Sequence, residues 1–302
     1  MNTYKLIFAS LLLFATMVSC EKYEDYVNDF DYTSAYFSTQ KPLRTIVARD
    51  EMQFEVGVAL GGMRTDDGSY SVDFEVDPTL LDVIPEASGF IALPEEYYTL
   101  GNVSNFDIIK DHMRTVYVTL NRDAFTSDPL SLANTYAIPL RITNATVDSI
   151  PGSGLETATI LSKDITILVV KYISQYSGYY YSKGVQYTLD INGNPTDTTL
   201  FYNENLSQNA VKQLTTEAVN VVSADKFGND ISGNMELTIN SDNSVELASS
   251  DVVINSYDCT YLEDETTFYL DVNLTKSGTT YQVKDTLILR QAPELDLRFE
   301  EW

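Results

Sequence analysis

The chain has 302 residues, of which 44 are Asp or Glu and 19 are Lys or Arg, for a formal net charge of −25 at pH 7. A surface of that sign repels nucleic acid and anionic membranes, and it favours neutral ligands or cations over phosphate-bearing ones. The length suits two domains of ordinary size.

The first element in chain order is an export segment. Lys5 precedes residues 6–18, all apolar or small and uncharged. They are too few to cross a hydrocarbon core, which takes about 20 residues as a helix. A basic start, an apolar centre and a small-residue end instead make a secretory signal. Met17, Val18, Ser19 and Cys20 resemble a bacterial lipobox. That resemblance implies acylation of the Cys20 thiol and removal of residues 1–19; an ordinary signal ending in cysteine is the alternative. Glu21, Glu24 and Asp25 with Lys22 look like the short charged signal that sends Bacteroidota lipoproteins to the cell exterior. Residues 20–32 have little to bury and read as an acidic tether. The mature chain would hold 283 residues, 18 basic and 44 acidic, a net charge of −26. With Cys20 acylated, Cys259 has no partner for a disulfide within the chain.

From residue 33 onwards the chain reads as all-β, because apolar and polar residues alternate almost everywhere and a 3.6-residue period is nearly absent. Phe54, Val56, Val58 and Leu60 form one such series, Tyr70, Val72, Phe74 and Val76 a second, and Val116, Val118 and Leu120 a third. These are the half-buried strands of a sandwich, separated by turn clusters such as Gly61-Gly62 and Asn121 to Asp123. The run ITILVVKYI (165–173) closes the first domain, and its continuous apolar centre predicts burial on both faces. After residue 173 the pattern becomes a regular antiparallel meander with short Gly or Asn turns, which predicts a barrel or strongly curved sheet over 174–302. Residues 205–222 form the one helical candidate, but their Thr pair favours strands with a single helical turn.

The motifs YFS (36–38), RTI (44–46), ALGG (59–62), VDFEVDPTLL (72–81), LPEEYYTL (93–100) and YAIPLRIT (136–143) resemble, in order, the N-terminal immunoglobulin-like domain of Bacteroidota surface lipoproteins from polysaccharide utilisation loci. This domain also occurs in front of family-eighteen endoglycosidases. Residues 178–302 are similar to a companion calycin-like barrel domain of unknown function. The resemblance implies an immunoglobulin-like β-sandwich over 33–173, a calycin-like β-barrel over 174–302, outer-membrane display and work on carbohydrates. The DxxDxDxE run of the endoglycosidases is absent from the sequence, so their mechanism is unsupported.

Candidate chemistry is sparse. His112 is the only histidine, and without a second histidine or paired cysteines it makes no zinc site and serves no nucleophile elbow. Asp73, Glu75 and Asp77 line one face of a strand and read as a solvated acidic face rather than a glycosidase pair. Asp190, Asn192, Asn194 and Asp197 hint at calcium, yet Pro195 and Phe201 stand where an EF-hand needs Gly and Glu, so a hairpin turn explains them better. No cofactor and no metal are expected.

The remaining signal is aromatic, with 21 Tyr against one Trp. Tyr179, Tyr180 and Tyr181 cannot all face one core, because neighbours on a strand alternate sides. A tyrosine face suits the C–H faces of a sugar, and its hydroxyl can bond ring oxygens. These three and Trp302 are the carbohydrate-binding candidates. The competing assignments are that Tyr180 fills the barrel, that Tyr179 and Tyr181 cover the domain junction, and that Trp302 plugs the barrel. The expected function is that of a non-catalytic, lipid-anchored outer-membrane protein that faces the cell exterior. It would bind glycans for a transporter and glycosidases of the same locus, with no nucleic-acid partner. The alternative is a structural or adhesin-like surface protein that binds no carbohydrate.

Overall fold

The computed structural model describes residues 32–63, 68–102, 104–152 and 162–302. The expected signal segment, Cys20 and nearly all of the tether lie outside these residues. Alternating sequence becomes strand almost throughout. The first half supplies β1 (Ser34–Phe37), β2 (Pro42–Ala48), β3 (Gln53–Gly61), β4 (Ser69–Val76), β5 (Ile91–Ala92), β6 (Tyr98–Leu100), β7 (Asn105–Ile109), β8 (Met113–Leu120), β9 (Tyr136–Ala145) and β10 (Ile165–Ser174). The second half supplies β11 (Gly178–Leu189), β12 (Pro195–Phe201), β13 (Ala210–Ala218), β14 (Val221–Phe227), β15 (Ile231–Ile239), β16 (Val245–Ala248), β17 (Val253–Leu262), β18 (Thr267–Lys276), β19 (Thr279–Leu289) and the two-residue β20 (Glu300–Glu301).

Two sheets form the sandwich, one in the order β1-β3-β8-β6 and the other β20-β2-β10-β9-β4-β7, with β5 alongside β9. Their facing sides enclose a core that includes Phe37, Phe54, Phe74, Phe106, Val118, Phe125 and Tyr172. The expected two-sided burial of β10 is seen. Leu168, Val170 and Tyr172 enter that core, while Ile165, Ile167 and Val169 enter a smaller one with Leu80, Leu81, Ile84 and Ala87. The short helix α1 (Leu80–Val83) and the following helical turn Pro85–Ala87 cover that outer side. A strand covered on both faces has no solvent side to mark with polar residues, so its run is uniformly apolar.

The third sheet is antiparallel and barrel-like, in the order β16-β15-β14-β13-β11-β19-β18-β17, with β12 added beside β11. A Ser244–Thr260 bridge and the Tyr261 N–H donating to the Asn243 carbonyl bring the two ends together. Residues 205–222 prove to be a 3₁₀ turn at Leu206–Gln208 followed by β13 and the start of β14, as the Thr pair suggested.

The sandwich and the barrel-like sheet are joined twice. At the linker, the Ser174 amide donates to Thr216 Oγ1 at 2.9 Å and Ser174 Oγ to the Val219 carbonyl at 2.8 Å. At the far end the chain leaves the barrel after β19, forms the short helix Pro293–Asp296 and adds β20 to the free edge of β2. Arg49 on the sandwich pairs with Glu294 at 2.5 Å, which holds the Glu294 carboxyl below its usual pKa. The last residues of the second half therefore belong structurally to the sandwich.

Candidate functional site

A wide opening lies in the barrel wall. β13 pairs with β14 only through Thr215↔Ser223, Thr216↔Val222 and Ala218↔Val221, so residues 210–214 and 224–227 part without a shared ladder. The gap is a cleft of about 870 Å³, lined among others by Tyr179, Gln213, Asp225, Lys226, Asn234 and Asp251.

A β-bulge shapes its far wall. Ala224 pairs with Met235 and Lys226 with Ser232, which leaves Gly233 and Asn234 facing Asp225 alone. Bulges bend a strand and re-aim its side chains. Here the extra amide is satisfied: Asn234 N–H donates to Asp251 Oδ1 at 2.8 Å, and Ser249 Oγ donates to the same oxygen at 3.2 Å. A Cβ on residue 233 would come within 2.9 Å of the Val252 side chain, so glycine is needed there for space.

The near wall carries Tyr179. Its carbonyl accepts from the Arg290 amide at 2.8 Å, and the Arg290 guanidinium lies 5.4 Å from its ring centre. Arg290 in turn reaches Asp296 at 3.6 Å, so the tyrosine is positioned from the strap between the domains. Beneath the cleft, on the interior side of the wall, Lys212 Nζ donates to Asp285 Oδ2 at 2.8 Å and Ser182 Oγ donates to both Asp285 oxygens.

The four aromatic candidates do not assemble. Tyr179 reaches the cleft. Tyr180 points into the barrel, fully buried against Phe268, and donates to the Tyr176 carbonyl at 2.8 Å. Burial pushes its phenol pKa up, and it presents no face to a ligand in solvent. Tyr181 is half-buried on the opposite side of β11 and does not line the cleft. Trp302 neither plugs the barrel nor stands free as a platform. Its indole N–H donates to the Ile167 carbonyl at 2.7 Å and its ring meets Phe90 edge-on at 4.8 Å, both in the sandwich.

The other polar signals have local partners. Asn105 and Asn144 donate to Asp73 and hold its pKa below the ordinary carboxylate range. Burial would raise the Asp77 pKa, but hydrogen bonds from Thr79 and Arg141 lower it. Asp190 accepts the Asn192 and Asn194 amides and closes the β11–β12 hairpin, again with a lowered pKa. His112 sits in the bend between β7 and β8, where its carbonyl accepts the Leu60 amide. Among the described residues, no group of three or more His, Cys, Asp or Glu could hold a metal ion.

Fold and cleft together define an all-β protein, a sandwich strapped to a barrel-like sheet with an opening in its wall. Residues 26–149 match a family model described as a "-like, N-terminal domain". Over 86% of this chain and 95% of the other, the fold is similar to that of a structural-genomics protein of unknown function from Bacteroides ovatus, at 24% identity and a TM-score of 0.71. Looser likenesses, with TM-scores of 0.42 and 0.41 and 12% identity, link it to a Bacteroides ovatus multidomain protein including DUF1735 and to an auxiliary nutrient binding protein from Bacteroides thetaiotaomicron. The first covers 90% of this chain and 100% of that one, the second 86% and 95%. No curated protein matches the chain.

Proposed function

We propose that the protein is a non-catalytic lipoprotein that binds neutral glycans in the barrel-wall cleft. The observation that carries this reading is the lining of the cleft, one aromatic ring among opposed charges and neutral polar groups. Asp225 and Asp251 are set against Lys226, and the Lys212 charge below is already paired with Asp285. Such a lining offers donors and acceptors for hydroxyls but no surplus charge for a phosphate. Tyr179 supplies the apolar face that a pyranose ring requires. The reading extends to Cys20 as the lipid anchor in the outer membrane, to display on the cell exterior, and to a transporter and glycosidases of the same locus as partners in glycan uptake.

Affinity electrophoresis in native gels containing soluble starch, laminarin, xylan or yeast mannan tests the cleft. At least one polysaccharide should retard the protein, and Tyr179→Ala should weaken that binding roughly tenfold, about 1.4 kcal/mol. Unchanged mobility across the panel would sink the reading. The address has a separate check: extracellular protease should degrade the protein on intact cells, and Cys20→Ala should release it from the membrane fraction. Protection from protease would place it on the inner side.

A further inference from the structure

The sandwich carries a second opening, where its two sheets exchange a strand. β6 pairs with β8 only through Tyr98↔Leu120, Thr99↔Thr119 and Leu100↔Val118. After Leu100 the chain leaves the first sheet, and from Asn105 it runs in the second as β7 beside β4. Residues 113–116 of β8 therefore pair with β3 on one edge and have no β6 partner on the other. The result is a wedge of about 500 Å³ between β7 and β8, wrapping over the free edge of β8.

Its lining has the same chemistry as the barrel cleft. Tyr117 is 52% exposed. Glu55 stands directly opposite it on β3, and its carboxylate raises the phenol pKa. Gly101 lies beside it and donates its amide to the Tyr117 carbonyl at 2.8 Å, so no side chain from that position covers the ring. Arg114 also lines the wedge, and its guanidinium has no hydrogen-bond or ion-pair partner among the described residues. Asp107 and Asn102 complete the polar rim. One cation opposite two carboxylates leaves no net attraction for a polyanion, whereas an exposed ring flanked by donors and acceptors suits a hydroxylated ligand.

We propose that this wedge is a second saccharide-binding site, with Tyr117 as its stacking face and Arg114 as a hydrogen-bond donor to sugar hydroxyls. The proposal shares with the barrel cleft the reading that the protein binds neutral glycans. Two sites on domains tied together at both linker and strap would let one molecule grip a polysaccharide at two places, raising apparent affinity for the polymer over that for a short oligosaccharide.

Isothermal titration of the whole protein with maltohexaose, laminarihexaose, xylohexaose and mannohexaose separates the two sites. For a hexasaccharide that binds, two per protein are expected, falling to one in Tyr117→Ala and to one in Tyr179→Ala. Arg114→Ala, an exposed change that leaves the strand pairing in place, should weaken the wedge site about tenfold and spare the cleft. A wild-type stoichiometry that Tyr117→Ala and Arg114→Ala both leave unchanged overturns the wedge while the cleft stands. A stoichiometry that responds to Tyr117→Ala but not to Tyr179→Ala overturns the cleft while the wedge stands. Binding of none of the four overturns both.

Discussion

Asp285→Ala is expected to destabilise the barrel by about 3–5 kcal/mol, the usual cost of breaking a buried ion pair from one side. Lys212 and Asp285 are each 1% exposed at the side chain and meet at 2.8 Å. They come from β13 and β19, the strands on either side of β11, and Ser182 on β11 completes the carboxylate's hydrogen bonds. Removing the carboxylate leaves an ammonium in the interior without its acceptor. It must then draw water into the wall or stay without a partner, and either is costly. Lys212→Met should cost a similar amount, because it strands the carboxylate instead. The double variant Lys212→Met/Asp285→Leu should return to within about 1–2 kcal/mol of wild type, since apolar groups of similar volume often replace a buried pair at little cost. Guanidinium unfolding followed by circular dichroism measures all three. Additive losses in the double variant would mean that the two side chains act independently.

Trp302→Ala should lower the stability of the sandwich by about 2–3 kcal/mol, somewhat less than the 3–5 kcal/mol typical of a fully buried Trp or Phe. The side chain is half-buried against Phe90, its indole N–H holds the Ile167 carbonyl, and its backbone amide donates to the Lys41 carbonyl at 3.1 Å. Trp302→Phe keeps most of the packing and loses one hydrogen bond, so a loss of about 1 kcal/mol is expected. Thermal unfolding should show the sandwich transition moving down while the barrel transition stays. Intact stability with a loss of glycan binding would instead restore Trp302 as a sugar platform, as its sequence position suggested.

Much of the architecture is legible in the sequence alone. Alternation located the strands, the uniform run at 165–173 announced a strand buried on both faces, and the change to short Gly and Asn turns marked where the meander begins. The three tyrosines were also partly readable, since their alternation placed Tyr180 on the opposite side from its neighbours. The cleft leaves no local pattern, although Gly233 inside the otherwise alternating ISGNMELTI is a signal for a bulge. Asp225, Lys226, Asn234 and Asp251 carry no common motif, and what unites them is the parting of β13 from β14.

By itself the sequence determined the strand content and the order of the two halves, because these depend on composition and on periods of a few residues. Only the tertiary structure decided that β20 pairs with β2, that Trp302 serves the sandwich, and that Lys212 finds Asp285 across β11. Those contacts join residues scores to hundreds of positions apart. Their partners are selected by strand register and by the burial of complementary groups, neither of which leaves a local pattern in the chain.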